Sequence, residues 1–359
     1  MSDSTVPLLR SLTEAHAVPG FEHEVRDLFV EELSGCGSLH GDAQGSVYCD
    51  LPGEGPKVLV AGHMDEVGFR IQNILPDGFL QFVPLGGWWE HALLSQPVTV
   101  KTREGRKIPG VIASKPPHFL GPEERGRVLP ITSMVIDVGA SSRSEVKKDL
   151  GIRLGDPVAP LSSFRELAVP DRYMAKAFDN RVGMAGAIQV GQWIGKRGSV
   201  NQVTVAGTVQ EEMGLRGAHT LLGKVRPDVA ILLEGPPADD TYGFSPGEMQ
   251  GILGGGVQIR LHDKSALLSP RFTDLAIELA EEKRIPHQVA VRRSGGTDAG
   301  AVQQAHGGIP CVVLGTPARY IHSHHAIVDL HDYRAMVTLA CELLSQLGEA
   351  KVASLRNYV

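Results

Sequence analysis

The chain has 359 residues and a formal charge of −6, with 42% hydrophobic and 21% charged residues. At about 150 residues per domain, this length predicts two domains, and the composition suits a protein with a large buried core. Aromatic residues make up only 5% of the chain, and no dense Lys/Arg run occurs. Together with the negative charge, these features argue against nucleic-acid partners.

The four cysteines, Cys36, Cys49, Cys311 and Cys341, show no CxxC spacing, which is typical of reduced thiols in a cytosolic protein. The first residues lack the basic and apolar segments of a secretory signal, and no apolar run is long enough to cross a bilayer. We therefore expect a cytoplasmic protein with no membrane association.

Helical spacing of apolar residues predicts helices over residues 8–15 and 22–33. Strands are predicted at 46–51 and 57–62. The segment between them, residues 52–56, is rich in Pro and Gly and predicts a hairpin-type connection.

The character of the sequence changes between residues 67 and 164. Short runs of alternating apolar residues, separated by Gly, Pro and Asp turns, predict strands at 67–71, 79–83, 98–102, 107–112 and 134–138. Because α/β sequence lies on both sides, we predict an inserted β domain of residues 67–164. The larger α/β domain would then comprise residues 1–66 and 165–359.

Strands and helices alternate again after residue 175. Strands are predicted at 203–209, 229–234, 257–261, 288–291 and 311–314. Helices are predicted at 180–193, 218–222 and 270–283, and an amphipathic helix at 333–347 closes the predicted series. This alternation predicts an α/β fold with a mostly parallel sheet covered by helices on both faces.

Residue types that bind metals follow several of these strands. In open α/β sheets, sites form beyond the carboxyl ends of the strands. The candidates are His63 with Asp65, Asp179, Glu211 with Glu212, Glu234 and His322. A two-metal hydrolase needs a bridging carboxylate, terminal carboxylate and imidazole ligands, and a carboxylate base. Oxygen and nitrogen ligands without thiolates suit Zn²⁺, Co²⁺ or Mn²⁺.

Each candidate also has a simpler interpretation. Taken singly, these are a solvated turn at Glu211-Glu212, a satisfied histidine at His63, a helix N-cap at Asp179 and a solvated strand end at Glu234. Against this, a carboxylate that closes an apolar strand, as Glu234 does, is costly to bury without a cation. Asp65 lies two residues after His63 in an extended segment, so it shares a face with that ring and could orient it.

Five ordered motifs extend this set. They are His63-Met64-Asp65-Glu66-Val67-Gly68-Phe69, Lys176-Ala177-Phe178-Asp179-Asn180-Arg181-Val182-Gly183, Gln210-Glu211-Glu212-Met213-Gly214, Gly295-Gly296-Thr297-Asp298-Ala299 and Arg319-Tyr320-Ile321-His322-Ser323. Together they resemble the tetrahedral (TET) aminopeptidases, which are cytosolic dinuclear metallopeptidases that include glutamyl and deblocking aminopeptidases. The resemblance extends from about residue 5 to residue 347.

The resemblance implies a role for each candidate. His63 and Glu234 would be terminal ligands of one metal, Asp179 would bridge both metals, and Glu212 and His322 would complete the second. Glu211 would be the general base, with Asp65 behind His63, and an unusual cis peptide would follow Asp179. Two divalent ions per subunit are implied, with Zn²⁺ favoured over Co²⁺ or Mn²⁺.

The resemblance also implies an architecture and an activity. The fold would be zinc-exopeptidase-like, with a small β-barrel-like dimerisation domain inserted in the catalytic domain, and dimers would assemble into a twelve-subunit tetrahedron. The activity would be removal of N-terminal residues from short peptides. The metals would lower the pKa of a shared water, and Glu211 would move its proton to the leaving amine.

Some residues depart from the family pattern or leave alternatives open. Glu234 stands where many relatives have Asp. His324 is an alternative or additional ligand, although the Arg-Tyr-Ile-His-Ser register favours His322, and we expect His324 and His325 at the rim of the chamber or pocket. Trp88 and Trp89 are interpreted as packing or interface residues. Asp298 either shapes the pocket or caps the helix at Ala299.

The sequence leaves the preferred N-terminal residue open, although Arg292 and Arg293 could favour acidic ones. Two alternative functions also remain. One is a related dinuclear deacylase or carboxypeptidase, which would need a site for an acyl group or a substrate carboxylate. The other is a metal-stabilised peptide-binding assembly without turnover. The presence of Glu211 argues against this second alternative, because no metal needs that residue as a ligand.

Overall fold

A computed structural model describes residues 4–358. The strands among these residues are, in chain order, β1 (Ser38–Gly41), β2 (Val47–Leu51), β3 (Gly55–His63), β4 (Gly68–Ile74), β5 (Leu80–Leu85), β6 (Pro97–Lys101), β7 (Lys107–Ala113), β8 (Val135–Asp137), β9 (Pro157–Pro160), β10 (Arg165–Glu166), β11 (Arg172–Ala175), β12 (Asn201–Thr208), β13 (Val229–Glu234), β14 (Val257–His262), β15 (His287–Val291), β16 (Cys311–Gly315), β17 (Ala318–Arg319) and β18 (Ala326–Asp329).

The α-helices of the described chain are α1 (Thr5–Glu14), α2 (His23–Glu32), α3 (Pro122–Arg125), α4 (Arg143–Lys148), α5 (Phe178–Arg197), α6 (Arg216–Leu221), α7 (Pro270–Glu282), α8 (Ala299–Val302), α9 (Leu330–Gln346) and α10 (Glu349–Arg356). Single-turn 3-10 helices cover Glu90–Ala92, Pro117–Phe119, Ile131–Ser133, Glu211–Met213 and Ala305–Gly307. Between residues 4 and 358, no helix combines the length and apolar character needed to cross a membrane.

The centre of the molecule is an eight-stranded mixed sheet with the order β1-β2-β12-β3-β13-β16-β14-β15. Its middle strands β12, β3, β13 and β16 run parallel to one another. Alternate residues of β3 enter two different cores, with Val58 and Val60 on one face of the sheet and Leu59 and Ala61 on the other. Because the strand is apolar on both faces, helices cover both, which confirms the predicted α/β sheet.

The insertion folds as a closed antiparallel barrel with the strand order β4-β5-β8-β7-β6-β9. Its interior is filled by apolar side chains that include Phe69, Phe82, Val100, Ile112 and Ile136. Closure leaves no open sheet edge, so a module of this size needs no neighbouring strand. Five of these strands overlap the predicted ones, whereas β9 and the short helices α3 and α4 were not predicted.

A small antiparallel sheet with the order β10-β11-β18-β17 joins the two strands that follow the barrel in the chain to two strands from near its C-terminal end. Its strand β11 leads directly into α5 through Lys176 and Ala177, and β17 leads into the loop that carries His322. This sheet therefore fixes the start of two segments that carry candidate ligands.

Two details of the sequence prediction are wrong. The segment 52–56 is not a hairpin, because β12 lies between β2 and β3 and pairs with both. The helix predicted at 333–347 begins earlier, at Leu330, and a further helix α10 follows it. The residues of segment 52–56 could not show that β2 and β3 are separated, since the intervening strand β12 comes some 140 residues later in the chain.

Close packing at Gly183 offers a test of this fold. A methyl group there would lie 2.2 Å from the Leu233 carbonyl oxygen and 2.2 Å from Asn180 Oδ1. We expect Gly183→Ala to lower the free energy of unfolding by about 1–3 kcal/mol despite the better helix propensity of alanine. Denaturant titration would measure the change.

The matched control is Gly186→Ala on the same helix, where the new methyl would meet the side-chain ends of Met336, Leu233 and Val337 at 3.0, 3.1 and 3.7 Å. We expect a smaller loss there, because flexible side chains can move and a backbone carbonyl cannot. Equal stability of Gly183→Ala and the wild type would contradict the packing of α5 against β13.

Candidate active site

The predicted site residues gather at the carboxyl edge of the parallel strands. His63 is the last residue of β3, Glu234 is the last residue of β13, and Glu211 and Glu212 begin the turn that follows β12. Because neighbouring parallel strands end at the same edge of a sheet, three separate parts of the sequence meet here. Asp179 and His322 approach from α5 and from the loop after β17.

Asp179 lies between the two histidines. Its Oδ1 is 3.1 Å from His63 Nε2, and its Oδ2 is 3.4 Å from His322 Nε2. The two oxygens of one carboxylate thus face two different imidazoles. Asp179 has a non-helical conformation and is not an N-cap, and the Asp179–Asn180 peptide bond is cis, as the resemblance implied.

The other carboxylates divide between the two histidines. Glu234 Oε2 lies 3.8 Å and Glu211 Oε2 lies 3.9 Å from His63 Nε2. On the other side, Glu212 Oε1 lies 3.2 Å from His322 Nε2. Ligand atoms of His63, Asp179 and Glu212 all lie within 4.8 Å of one another, so the groups are close enough to share a metal ion.

Asp65 fixes the turn after β12 as well as His63. Its backbone carbonyl is 3.1 Å from His63 Nδ1, and its carboxylate Oδ1 is 3.5 Å away. The same carboxylate accepts hydrogen bonds from the backbone N–H groups of Glu211 (3.0 Å) and Glu212 (3.1 Å). The main chain of Asp65 thus makes the shorter contact with the ring, and its side chain holds the two glutamates in position.

A buried ion network lies directly behind this segment. Lys176 Nζ donates to both carboxylate oxygens of Glu66, at 2.6 and 2.7 Å, and Arg181 Nη2 donates to Glu66 at 3.1 Å. Arg181 is completely buried and also donates to the backbone carbonyls of Leu12 and Met64. The network ties β3, β11 and α5 together at the residues adjacent to the site.

Glu66, Lys176 and Arg181 belong to the sequence motifs that include His63 and Asp179, but no role was predicted for them. Burial of such charges requires partners, but the partners lie 110 and 115 residues apart in the sequence and only the fold brings them together.

The inserted barrel contributes one contact to the site. The backbone carbonyl of Gly87 lies 2.9 Å from His322 Nδ1. If the Gly87 carbonyl accepts a hydrogen bond from Nδ1–H, then Nε2 of His322 carries no proton and can bind a cation. Nε2 is the nitrogen that faces Asp179 and Glu212. Nothing in the sequence around Gly87 indicated this contact.

Several non-glycine residues beside the site adopt left-handed backbone conformations. They are Ala177, Gln210, Tyr320 and His322, with φ between 54° and 60°. Such conformations cost about 1–3 kcal/mol each and cluster where the surrounding structure imposes a functional geometry. They lie next to Asp179, Glu211 and His322, which are the groups that the site brings together.

The site is short of positive charge. Burial raises the pKa of Glu234 to about 8, and Asp179 adds to the increase while His63 opposes it. Burial likewise raises the pKa of Glu211 well above its usual range, and Glu212 and Glu234 reinforce this. Burial would lower the pKa of His322, but Asp179 and Glu212 raise it to about 11.

The raised pKa values of the buried glutamates are typical of a site that divalent cations neutralise. Four carboxylates, those of Asp179, Glu211, Glu212 and Glu234, face only two imidazoles, and none of the four is more than 15% exposed. Buried carboxylates at such distances repel one another unless cations compensate them. The donor set of oxygens and imidazole nitrogens suits Zn²⁺, Co²⁺ or Mn²⁺.

A cavity of about 590 Å³ opens above these groups. Beyond Glu234 its wall is cationic, with Arg260, Lys264 and Arg292. Arg260 pairs with Asp263 at 3.0 Å and Arg292 pairs with Asp239, yet the Nε groups of both arginines are buried without a hydrogen-bond partner. Of the two arginines named from the sequence, Arg292 lines this cavity and Arg293 does not.

The structure contradicts the rim position expected for His324 and, of the two alternatives for Asp298, the helix cap. His324 is 1% exposed and lies outside the cluster, with its ring packed against Trp88. Asp298 occupies the N-cap position of α8 but makes no side-chain capping bond. Instead its Oδ2 accepts a hydrogen bond of 2.5 Å from Thr208 Oγ1, and burial raises its pKa to about 6.

Comparisons with known proteins relate the chain to a family of aminopeptidases. A model of the M42 glutamyl aminopeptidase family matches residues 45–339. The glutamyl aminopeptidase of Lactococcus lactis is 33% identical over 354 residues, which cover 98% of each chain. The lysyl aminopeptidase of Pyrococcus furiosus is 31% identical over 344 residues, which cover 95% of this chain and 96% of that protein.

Solved structures show the same fold. A TET aminopeptidase from a marine sediment archaeon, Thaumarchaeota archaeon SCGC AB-539-E09, superimposes with a TM-score of 0.95 at 37% identity, covering 99% of this chain and 100% of that one. The TET1 peptidase of Pyrococcus horikoshii, which can assemble into a tetrahedron or a large octahedral shell, gives a TM-score of 0.84 at 29% identity, covering 96% and 100%.

Removal of divalent ions should destabilise the protein. Ions that bind only the folded state contribute about 4 kcal/mol when their free concentration is a thousandfold above Kd. We therefore expect a chelator to lower Tm and added Zn²⁺ to restore it, as measured by calorimetry. In the control variant Asp179→Asn the chelator should have little effect, and an unchanged wild-type Tm would contradict the metal site.

Proposed function

The chain belongs to the M42 glutamyl aminopeptidase family of metallo-aminopeptidases, and on this premise we propose that it removes N-terminal residues from short peptides. The observation that carries the proposal is the position of Asp179, whose two oxygens face His63 and His322 at 3.1 and 3.4 Å. That arrangement suits a carboxylate that bridges two cations.

We assign the remaining ligands as the family resemblance implies, and the distances in the site are compatible with that assignment. His63 and Glu234 would hold one ion, and Glu212 and His322 the other, with Asp179 shared between them. Two divalent ions bound there would lower the pKa of a water molecule and polarise the scissile carbonyl. Zn²⁺ is the first choice for both, and Co²⁺ and Mn²⁺ are the alternatives.

Glu211 is the proposed general base. Its carboxylate is 3.9 Å from His63 Nε2, farther than Asp179, and its backbone N–H is held by Asp65, which sets its direction. In this position Glu211 accepts the proton of the attacking water and later donates it to the leaving amine. The carboxylates around it would bind the substrate α-amine, which confines cleavage to the N-terminus.

The cationic wall suggests a preference for acidic N-terminal residues. Relatives named glutamyl and lysyl aminopeptidase have similar sequence identities to this chain. Sequence identity alone therefore does not decide which N-terminal residue this chain prefers. Apart from the proposed ligands and base, the residues that line the cavity include three cations and no carboxylate. An Asp or Glu side chain in this cavity would meet the positive charges of Arg260, Lys264 and Arg292, which line its wall.

The same wall supports one alternative. A carboxypeptidase would use Arg260, Lys264 and Arg292 for the C-terminal carboxylate of its substrate, and would need no free amine. Peptides with a free and an acetylated N-terminus separate the two functions, because only the carboxypeptidase and the deacylase accept the acetylated form.

We also propose that residues 67–164 form a dimerisation domain within a catalytic domain of residues 1–66 and 165–359. A twelve-subunit tetrahedron built from dimers would follow, since a Pyrococcus horikoshii TET1 structure is a dodecamer. Light scattering of the purified protein would measure the assembly. A cytoplasmic location fits a peptidase that acts on short peptides.

Replacement of the proposed base should separate catalysis from metal binding. We expect Glu211→Gln to lower kcat at least about a hundredfold while metal content, measured by elemental analysis, stays at the wild-type value. The control Glu54→Gln removes an exposed carboxylate and should retain activity. Wild-type turnover in Glu211→Gln would contradict the mechanism, and loss of one metal equivalent would make Glu211 a ligand instead.

The acidic preference can be tested on a panel of aminoacyl p-nitroanilides with and without chelator. We expect chelator-sensitive release of Glu or Asp to exceed that of Leu or Lys. Charge reversal at the exposed residue Lys264, as Lys264→Glu, should lower kcat/KM for the Glu substrate about tenfold and leave the Leu substrate nearly unchanged.

Lys115→Glu provides the matched control, because it makes the same change of charge at an exposed residue outside the cavity. Equal effects of the two variants, or a wild-type preference for Lys, would refute the assignment of the cationic wall.

A further inference from the structure

A second cavity adjoins the catalytic one. It has a volume of about 650 Å³ and lies between the barrel segment that carries Trp88 and Trp89 and the loop of residues 320–325. Ile321 and His322 line both cavities, so the two spaces meet at a proposed ligand of the metal centre. A chain that crosses the site at His322 would pass from one cavity into the other.

The two cavities differ in chemistry. The catalytic cavity has Arg260, Lys264 and Arg292 in its wall. The second cavity is lined in part by Trp88, Trp89, Ala92 and Ile321, and none of the described residues that line it is Lys, Arg, Asp or Glu. The second cavity therefore suits an apolar or aromatic group better than a charged one.

One wall of the second cavity is rigid. The Trp88 indole N–H donates to the Gly68 carbonyl at 3.0 Å, and the ring stacks on Phe69 with centroids 4.7 Å apart. The buried ring of His324 packs against Trp88 on the other side. These contacts hold the indole in one orientation, so it presents a fixed apolar surface.

The rim, in contrast, is an exposed pair of aromatic residues. Trp89 is 69% exposed and Tyr320 is 53% exposed. Large exposed aromatics beside a cavity mark a surface that gains free energy when an apolar partner covers it. Continuity with the catalytic cavity at His322 indicates that this partner is part of the substrate.

We propose that this second cavity binds the side chain of the second residue of the peptide substrate and selects apolar, above all aromatic, residues there. The inference rests on the proposed aminopeptidase function, because the first residue must occupy the cationic cavity for the second to reach Trp89. Trp88 and Trp89 are then specificity-determining residues on the leaving-group side of the scissile bond.

The test uses two tripeptides that share the N-terminal residue with the fastest turnover in the aminoacyl panel. They carry Phe or Gly at the second position and Gly at the third. We expect the wild type to prefer the Phe peptide in kcat/KM by roughly tenfold, the range that a well-filled apolar pocket provides. In Trp89→Ala this ratio should fall towards one, and in Trp89→Phe it should largely return.

Phe119→Ala is the matched control, because Phe119 is an equally exposed aromatic residue (71%) of the barrel and does not line the cavity. It should keep the wild-type ratio. A wild-type ratio near one, or an unchanged ratio in Trp89→Ala, would overturn the inference while the aminopeptidase function stands. If Trp89→Ala altered the selection of the first residue of the substrate, the cavity would belong to that first residue. This result would also overturn the inference. Absence of turnover with either peptide would instead overturn the proposed function.

Discussion

The structure depends on a concentration of negative charge at the carboxyl edge of the central sheet. Four carboxylates are buried around Asp179, and burial raises the pKa of Glu211 and Glu234 in particular. Such a cluster persists only if cations compensate it and the surrounding backbone holds it in place. The buried network of Glu66, Lys176 and Arg181 supplies the support, since it ties the strand that ends in His63 to the start of α5.

The eight-stranded sheet and the inserted barrel contribute different parts of the site. The parallel sheet brings the ends of β3, β12 and β13 to one edge, which is how distant carboxylates become neighbours. The barrel covers one side of that edge through Gly87, whose carbonyl faces His322 Nδ1, and through Trp88 and Trp89. In this chain an edge of candidate metal ligands is thus bordered by an inserted barrel, and the two sides of the site differ strongly in polarity.

Local sequence patterns predicted most of the elements and the imidazoles and carboxylates that meet at the edge, because the ends of β3, β12 and β13 carry metal-ligand residue types. They gave Asp298 and His324 only as alternatives. Their local sequence suits a cap and a rim, but Asp298 bonds Thr208 on a neighbouring strand and His324 is buried against a tryptophan of the barrel. Both outcomes depend on contacts with parts of the chain that no local pattern identifies.

The sequence by itself therefore determined the class of fold, the inserted β segment and the inventory of imidazoles and carboxylates, since these depend on periodicity and on residue type at strand ends. Only the tertiary structure decided that β12 separates β2 from β3, that Asp65 fixes the turn of Glu211 and Glu212, and that Arg260 and Arg292 face the cavity. The physical reason is the range of the interactions. Burial, charge compensation and cavity shape arise between residues that are neighbours in space but often far apart in the chain, as Asp65 and Glu211 are at a separation of 146 positions.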